Sequence, residues 1–223
     1  MGQKILVISP HMDDEVLGMG GTIAKHVASG DEAYVCVVAN RAYQHLYKDE
    51  WINEEKKAAL AAKDVLGYKE VKFLDLKDEQ LDHKLIEVLV PIEEYLSKID
   101  PDVVYVNHRG DPHQDHRVVF DASIIACRTV SKPRIKKLIC YEIPSATEFS
   151  PPFAEFSFLP NYYVNIEKFL ETKIKALRCY QREARDFPNP RSSEGVKILA
   201  KKRGMEIGFK AAEAFVIIRD EWE

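Results

Sequence analysis

Short apolar runs of strand length recur along this chain, and stretches of helical period lie between them. The runs are Lys4-Ile-Leu-Val-Ile-Ser9, Glu32-Ala-Tyr-Val-Cys-Val-Val-Ala39, Val71-Lys-Phe-Leu74 and Val103-Val-Tyr-Val106. Helical segments of about Glu15 to Ser29, Asp49 to Leu66 and Lys84 to Lys98 separate them, the first two stopped by Gly30 and Gly67. Strands buried on both faces read as continuous apolar runs, and parallel neighbours need a crossover of a dozen or more residues. The alternation therefore predicts an α/β fold: a three-layer, Rossmann-like, mostly parallel sheet flanked by helices, with right-handed crossovers. Pro91 in the third helix calls for a kink or a break there. Further along, Val118 to Ala126 reads as helix and Leu138 to Ile143 as strand, before a long aromatic and Pro-rich loop from Pro144 to Pro160. Tyr162 to Asn165 reads as strand, Ile166 to about Arg182 as a helix capped by Asn165, Ser193 to Gly208 as helix and Ala214 to Arg219 as a closing strand.

No Pro/Gly/Ser-rich break interrupts the 223 residues, so residues 1–223 are expected to form one domain. A formal net charge of −4, with Lys and Arg spread along the sequence, argues against nucleic acid and anionic membranes as partners. Cys36, Cys127, Cys140 and Cys179 are widely spaced with no CxxC pair, which favours reduced thiols over disulfides or a thiolate zinc site. No apolar run approaches membrane-spanning length, and the amino terminus runs directly into a strand, so a cytoplasmic protein is expected. The apolar stretch Pro151 to Pro160 is a candidate contact for a homo-oligomer.

Open α/β sheets hold ligands outside the carboxyl ends of their strands. Strand one delivers Pro10-His11-Met12-Asp13-Asp14-Glu15 to that rim. Strand four delivers Asn107-His108-Arg109-Gly110-Asp111-Pro112-His113-Gln114-Asp115-His116, whose Gly and Pro mark a loop. Two adjacent carboxylates beside an imidazole resist joint ionisation unless positive charge sits among them. His11, Asp13, Asp14, His113 and His116 are metal-competent, and a catalytic zinc takes three protein ligands plus a position open to water. If helix four includes His116, then His113 three residues earlier faces the same side, and Asp115 can orient one of the imidazoles. Either cluster alone is explained equally well as a solvated turn with Asp at a helix start. Together on one rim they point to a site. Arg41 and Tyr43, at the end of strand two, are candidate substrate contacts, and so is Ser145 in the long loop. Phe149, Phe153 and Phe156 could stack on a sugar ring or form a packed satellite core. Arg191 and Arg203 could hold a phosphate or nucleotide tail, though surface ion pairs explain them as well.

Ser9-Pro-His-Met-Asp-Asp-Glu-Val-Leu-Gly-Met-Gly-Gly-Thr-Ile23 resembles the HPDDE signature of the LmbE-like, PIG-L-type zinc-dependent N-deacetylases. His113-Gln-Asp-His116 resembles their second, HPDH-type motif. Tyr141-Glu-Ile-Pro-Ser145, Pro190-Arg-Ser-Ser193, Arg203-Gly204 and Ala212-Glu-Ala-Phe215 extend the similarity over nearly the whole chain. The resemblance implies an LmbE-like fold, with metal ligands His11, Asp14 and His116, and Asp13 as general base. It also implies His113 at the acyl oxygen or intermediate, with Asp115 as that motif's aspartate. The implied cofactor is Zn2+, with Fe2+ or another divalent ion as alternatives, and the implied substrate is an N-acetylated amino sugar or its conjugate. The implied reaction is hydrolysis by zinc-activated water, with Asp13 shuttling the proton and a protonated His113 facing the oxyanion. Met12 and Gln114 stand where proline (or, at Met12, alanine) is usual, which bears on loop conformation rather than on the ligand set.

Three rival readings remain at this point. A phosphoryl-transfer receiver domain also places acidic pairs after its first strand, but it prefers oxygen ligands and magnesium and has no use for His113 and His116. Two histidines and a carboxylate can also hold iron for oxygen chemistry, usually on double-sheet folds unlike this one. A module that binds metal or sugar without turnover fits the same residues.

Overall fold

The structure, a computed structural model, describes residues 2–130 and 133–222. In chain order it comprises β1 (Lys4–Ser9), α1 (Asp14–Ala28), β2 (Glu32–Asn40), α2 (Asp49–Leu66), β3 (Glu70–Lys77), α3 (Leu85–Ile99) and β4 (Val103–Asn107). There follow α4 (Gln114–Ala126), β5 (Lys137–Tyr141), β6 (Tyr162–Asn165), α5 (Leu170–Leu177), α6 (Ser193–Met205) and β7 (Ala212–Asp220). The strands form one sheet in the order β3-β2-β1-β4-β5-β7-β6. The first five lie parallel, and β7 runs antiparallel to both β5 and β6.

Side chains of β1 alternate between two cores. Ile5 and Val7 pack with α1, α2 and α5, whereas Leu6 and Ile8 pack with α3 and α4 on the opposite face. All four are at most 1% exposed, and burial of each stabilises the fold by about 1.5–3 kcal/mol. This is the three-layer arrangement expected. The chain leaves β1 toward β2 and β3, then returns to the other side of β1 as β4, so the order reverses between β1 and β4. That switch point is where a ligand crevice opens in such sheets, and both histidine motifs emerge there.

Several elements differ from expectation for local reasons. Helix α3 runs through Pro91 without a break. Helix α4 begins four residues earlier than Val118 because the His113 ring caps it, Nδ1 accepting from the Asp115 amide at 3.2 Å. Helix α5 is shorter than Ile166 to Arg182, and Asn165 caps a turn instead, its Oδ1 accepting from the Glu167 amide at 2.9 Å. Helix α1 leaves helical geometry at Met19, and its second half restarts under a buried carboxylate. Glu213 accepts from the amides of Gly21 (3.0 Å) and Thr22 (2.6 Å) and pairs with Lys173 at 2.6 Å.

Close approach of α1 to β5 depends on Gly18, where a Cβ would lie 2.3 Å from the Tyr141 ring. The Tyr141 hydroxyl donates to the Ile8 carbonyl at 2.8 Å, which ties β5 to the end of β1. The four cysteines are free thiols, Cys36, Cys127 and Cys140 buried. Among the described residues no helix is long and apolar enough to cross a membrane.

A candidate metal centre at the switch point

The turn after β1 is built from its own polar atoms. Ser9 Oγ donates to the His11 carbonyl at 2.7 Å, the His11 amide donates to Asp14 Oδ2 at 3.0 Å, and the Asp13 amide donates to Glu15 Oε2 at 3.2 Å. Asp13 carries a φ of 94°, a left-handed conformation that costs a non-glycine residue of the order of 1–3 kcal/mol. The strain aims two successive carboxylates differently: Asp14 toward the histidines, Asp13 toward Arg191.

His11 Nδ1, Asp14 Oδ2 and His116 Nε2 lie 3.3 Å from one another on all three sides. A tetrahedral zinc with bonds of about 2.0–2.1 Å has ligand-to-ligand edges of about 3.3–3.4 Å, so the trio has the spacing of three corners of that polyhedron. All three residues are buried. Behind them each imidazole has a carboxylate partner. His116 Nδ1 meets Asp111 Oδ2 at 2.9 Å; His11 Nε2 meets Asp78 Oδ1 at 2.9 Å and Asp115 Oδ2 at 3.2 Å. With those nitrogens donating, the lone pairs of His11 Nδ1 and His116 Nε2 face each other and Asp14.

The outer carboxylates are anchored in turn. Asp111 Oδ1 accepts from Thr147 Oγ1 at 2.7 Å, Asp78 Oδ2 from the Ala42 amide at 2.8 Å, and Asp115 Oδ2 from the Glu79 amide at 2.7 Å.

Burial alone would lower the His11 imidazole, but hydrogen bonds to the carboxylates of Asp115, Asp14 and Asp78 hold it well above its ordinary pKa. Burial would likewise lower His116, yet Asp14 and Asp111 raise it. Burial would raise Asp14, and His116 and His11 keep it well below the usual carboxylate range. A dry cage that draws protons onto two buried imidazoles carries a surplus of negative charge, and a divalent cation satisfies it.

Asp13 is fully buried, with Arg191 on Oδ2 and, among the described residues, no hydrogen-bond partner on Oδ1. Burial pushes its pKa up to about 6, with Arg191 pulling the other way. His113 is pushed down to about 3 by burial and then by the charges of His11 and His116. In the metal-free chain the ring is therefore neutral at neutral pH, whereas the resemblance implies a protonated imidazole at the oxyanion. Because its Nδ1 accepts the Asp115 amide, the proton resides on Nε2 as a donor. Asp115 itself reaches His11 and not the His113 ring, so its carboxylate orients His11 and its amide orients His113.

A cavity of about 380 Å3 opens over the trio, lined by Asp14, Arg41, His113, His116, Ser145 and Arg191 among others. Arg41 and Ser145 thus stand where substrate contacts were expected. Tyr43 does not: its hydroxyl donates to Glu55 Oε1 at 2.8 Å and its ring packs against Trp51. Arg41 and Arg191 are bridged by buried Glu183, at 3.3 and 3.6 Å. Burial would raise the Glu183 carboxyl, but Arg41 and Arg191 hold it below its usual value. Arg203 is committed to Glu142 through Nε (2.7 Å) and a terminal nitrogen (2.6 Å), an ion pair that is buried rather than on the surface as the alternative reading had it. Phe149 and Phe153 are exposed outside the cavity lining. Met12 is buried in the core, and His108 Nε2 bonds the Phe156 carbonyl at 2.9 Å.

Sequence reasoning missed the roles of Asp78, Asp111, Glu15 and Glu183. The only signal for the first two was position: Asp78 directly follows β3 and Asp111 sits four residues past β4, both at carboxyl ends of parallel strands. Glu15 follows the ligand pair, is fully buried and accepts from Tyr180 at 2.8 Å; burial lifts its pKa to about 8.

A family model described as PIG-L, GlcNAc-PI de-N-acetylase, matches residues 6–127, which carry both histidine motifs. The protein named uncharacterized deacetylase YaiS from Escherichia coli (strain K12) is 29% identical over 185 residues, spanning 79% of this chain and 90% of that protein. Diacetylchitobiose deacetylase from Thermococcus kodakarensis is 28% identical over 192 residues, spanning 80% of this chain and 69% of that one. Among solved structures, N,N'-diacetylchitobiose deacetylase from Pyrococcus horikoshii in complex with its inhibitor MPG superposes with a TM-score of 0.79 at 25% identity, covering 97% of this chain and 84% of that one.

Proposed function

The chain belongs to the PIG-L family of GlcNAc-PI de-N-acetylases, and from that membership we propose that it is a metal-dependent N-deacetylase releasing acetate from an N-acetylated amino sugar or its conjugate. The observation that carries this reading is the buried trio of His11 Nδ1, Asp14 Oδ2 and His116 Nε2 at a common 3.3 Å spacing, beside an Asp13 oxygen without a partner. Relatives named diacetylchitobiose deacetylase support the substrate class.

The trio would hold zinc, and iron(II) is the alternative that two imidazoles and a carboxylate also accept. A divalent cation bound there supplies acidity to a water molecule and polarises a carbonyl oxygen. The chain's own residues do the rest. Asp13, ionised above about pH 6, takes the water proton on Oδ1 and returns it to the leaving nitrogen. Arg191 fixes the other Asp13 oxygen and keeps the carboxylate oriented. Neutral His113 donates its Nε2 proton toward the acetamide oxygen as negative charge grows on it. A C–O bond forms, the amide C–N bond breaks, and acetate and a free amine leave. Arg41 and Ser145 contact the sugar from the cavity wall.

The test is release of primary amine from N-acetylglucosamine and N,N'-diacetylchitobiose by the metal-loaded chain. Activity is expected with zinc, is lost with chelator, and is lost in Asp13→Asn while that variant still binds one metal equivalent. Release that persists after metal removal, or no release with any divalent ion, contradicts the reading.

A further inference from the structure

A second cavity of about 390 Å3 adjoins the one over the trio, with Glu79, Pro112 and His113 lining both. Either volume falls within the range of about 300–1,000 Å3 typical of small-molecule sites. The second cavity adds His45, Tyr47, Gln80 and Gln114. Its lining therefore combines imidazoles, a phenol, carboxamides and one carboxylate; among the described residues it includes no lysine or arginine. Lys77 lies over the Tyr47 ring, 5.7 Å from its centroid, outside the lining. A phosphate or carboxylate entering here would meet the Glu79 carboxylate, with His45 already paired to it and no lysine or arginine in the lining, whereas hydroxyl groups would find both donors and acceptors.

The walls are held by side-chain bonds. Gln114 Nε2 donates to the Glu79 carbonyl at 2.7 Å, which joins the start of α4 to the segment after β3. Proline, usual at this motif position, has no such donor. The Tyr47 hydroxyl donates to the Asp78 carbonyl, and His45 pairs with the Glu79 carboxylate. His45 and Glu79 both adopt left-handed backbone, with φ of 61° and 62°, a strain that persists when surrounding contacts over-determine it. The same segment carries Asp78, the partner of His11, so the wall of the second cavity is continuous with the support of the metal trio.

Resting on the deacetylase reading, we infer that the second cavity is a subsite for an uncharged, hydroxyl-bearing sugar ring joined to the N-acetylated one, with Gln114 and His45 as specificity-determining residues. The preferred substrates are neutral N-acetylated di- or oligosaccharides rather than N-acetylglucosaminyl compounds whose aglycone carries phosphate or carboxylate.

The test compares kcat/KM for amine release from N,N'-diacetylchitobiose, N-acetylglucosamine and N-acetylglucosamine 1-phosphate, alongside calorimetric binding of the same three to zinc-loaded Asp13→Asn. The disaccharide is expected to exceed the monosaccharide at least tenfold in both measurements, with the phosphate no better than the monosaccharide. His45→Ala, Gln114→Ala and Gln114→Pro should each reduce the disaccharide-to-monosaccharide ratio at least threefold, a ratio from which a general loss of folded enzyme cancels. Equal use of mono- and disaccharide, preference for the phosphate, or ratios unmoved in all three variants overturn the subsite. If no sugar is turned over yet the disaccharide still binds best and responds to His45→Ala, the deacetylase reading fails and the subsite stands.

Discussion

Removing the carboxylate behind His116 tests whether the outer ring of aspartates serves the metal. Asp111 is fully buried, holds His116 Nδ1 at 2.9 Å and accepts from Thr147 at 2.7 Å. Asp111→Ala deletes the acceptor that fixes which His116 nitrogen carries the proton, and loss of such a partner lowers metal affinity about 10–100-fold, about 1.4–2.7 kcal/mol. Asp111→Asn keeps an acceptor oxygen of the same shape without the charge, so it belongs near the tenfold end and the alanine variant near the hundredfold end. The imidazole N–H and the Thr147 hydroxyl left unpaired cost about 1–3 kcal/mol each in folding stability. Affinity and stability must therefore be read separately, by competition for zinc against a chromophoric chelator and by thermal unfolding of the metal-free chain. A folded Asp111→Ala chain that binds zinc as tightly as the parent would refute the reasoning.

Asp13→Asn is expected to lower kcat by about 10²–10⁴-fold with metal binding retained, and in the parent kcat/KM should climb with pH through about 6 as Asp13 ionises; a parent profile flat through pH 6 counts against Asp13 as the base. Linkage supplies an independent check. The folded Asp13 pKa of about 6 lies above its ordinary 3.8, so the folded chain holds a proton the unfolded chain has lost, and stability falls as pH rises between those values. Asp13→Asn should then raise the melting temperature of the metal-free chain at pH 7 and leave it nearly unchanged at pH 3.5. Gly18→Ala places a Cβ 2.3 Å from the Tyr141 ring and 2.8 Å from the Glu142 carbonyl oxygen; destabilisation of about 1–3 kcal/mol is expected from denaturant unfolding. Tyr43→Phe removes the hydroxyl's bonds to Glu55 and Glu183 and no direct cavity contact, so stability should drop by about 1–2 kcal/mol, while kcat/KM should fall by less than tenfold because the Glu183 pairs with Arg41 and Arg191 remain; a larger loss would place Tyr43 in the substrate site after all.

Legibility in the sequence followed the range of the interactions involved. The strands at Lys4, Glu32 and Val103 were readable because burial on both faces writes an unbroken apolar run, and Asp49–Leu66 because a helix face and Gly67 punctuate it. That His11, Asp14 and His116 share one rim was readable because strand ends define it, so residues a hundred positions apart could be placed together, whereas their selection from five metal-competent side chains came from the resemblance of the two motifs. What failed was set by tertiary demand. Helix α5 stops at Leu177 so that the chain can turn and present Tyr180 to Glu15 and Glu183 to the arginines, a requirement invisible to periodicity. Asp78 and Asp111 have no spacing rule, since an outer partner needs only to arrive behind a ligand from any strand end. Tyr43 was misplaced because a residue three positions beyond a strand end can face either the rim or the neighbouring helix, and buried Glu55 of α2 claims its hydroxyl.

Anomalous diffraction at the zinc edge, from crystals of the zinc-loaded chain, addresses the central claim most directly. The account predicts a single strong peak within about 2.0–2.2 Å of His11 Nδ1, Asp14 and His116 Nε2, with Asp78, Asp111 and Asp115 behind the imidazoles. A peak held by other residues, or no peak between the two histidines, would contradict it.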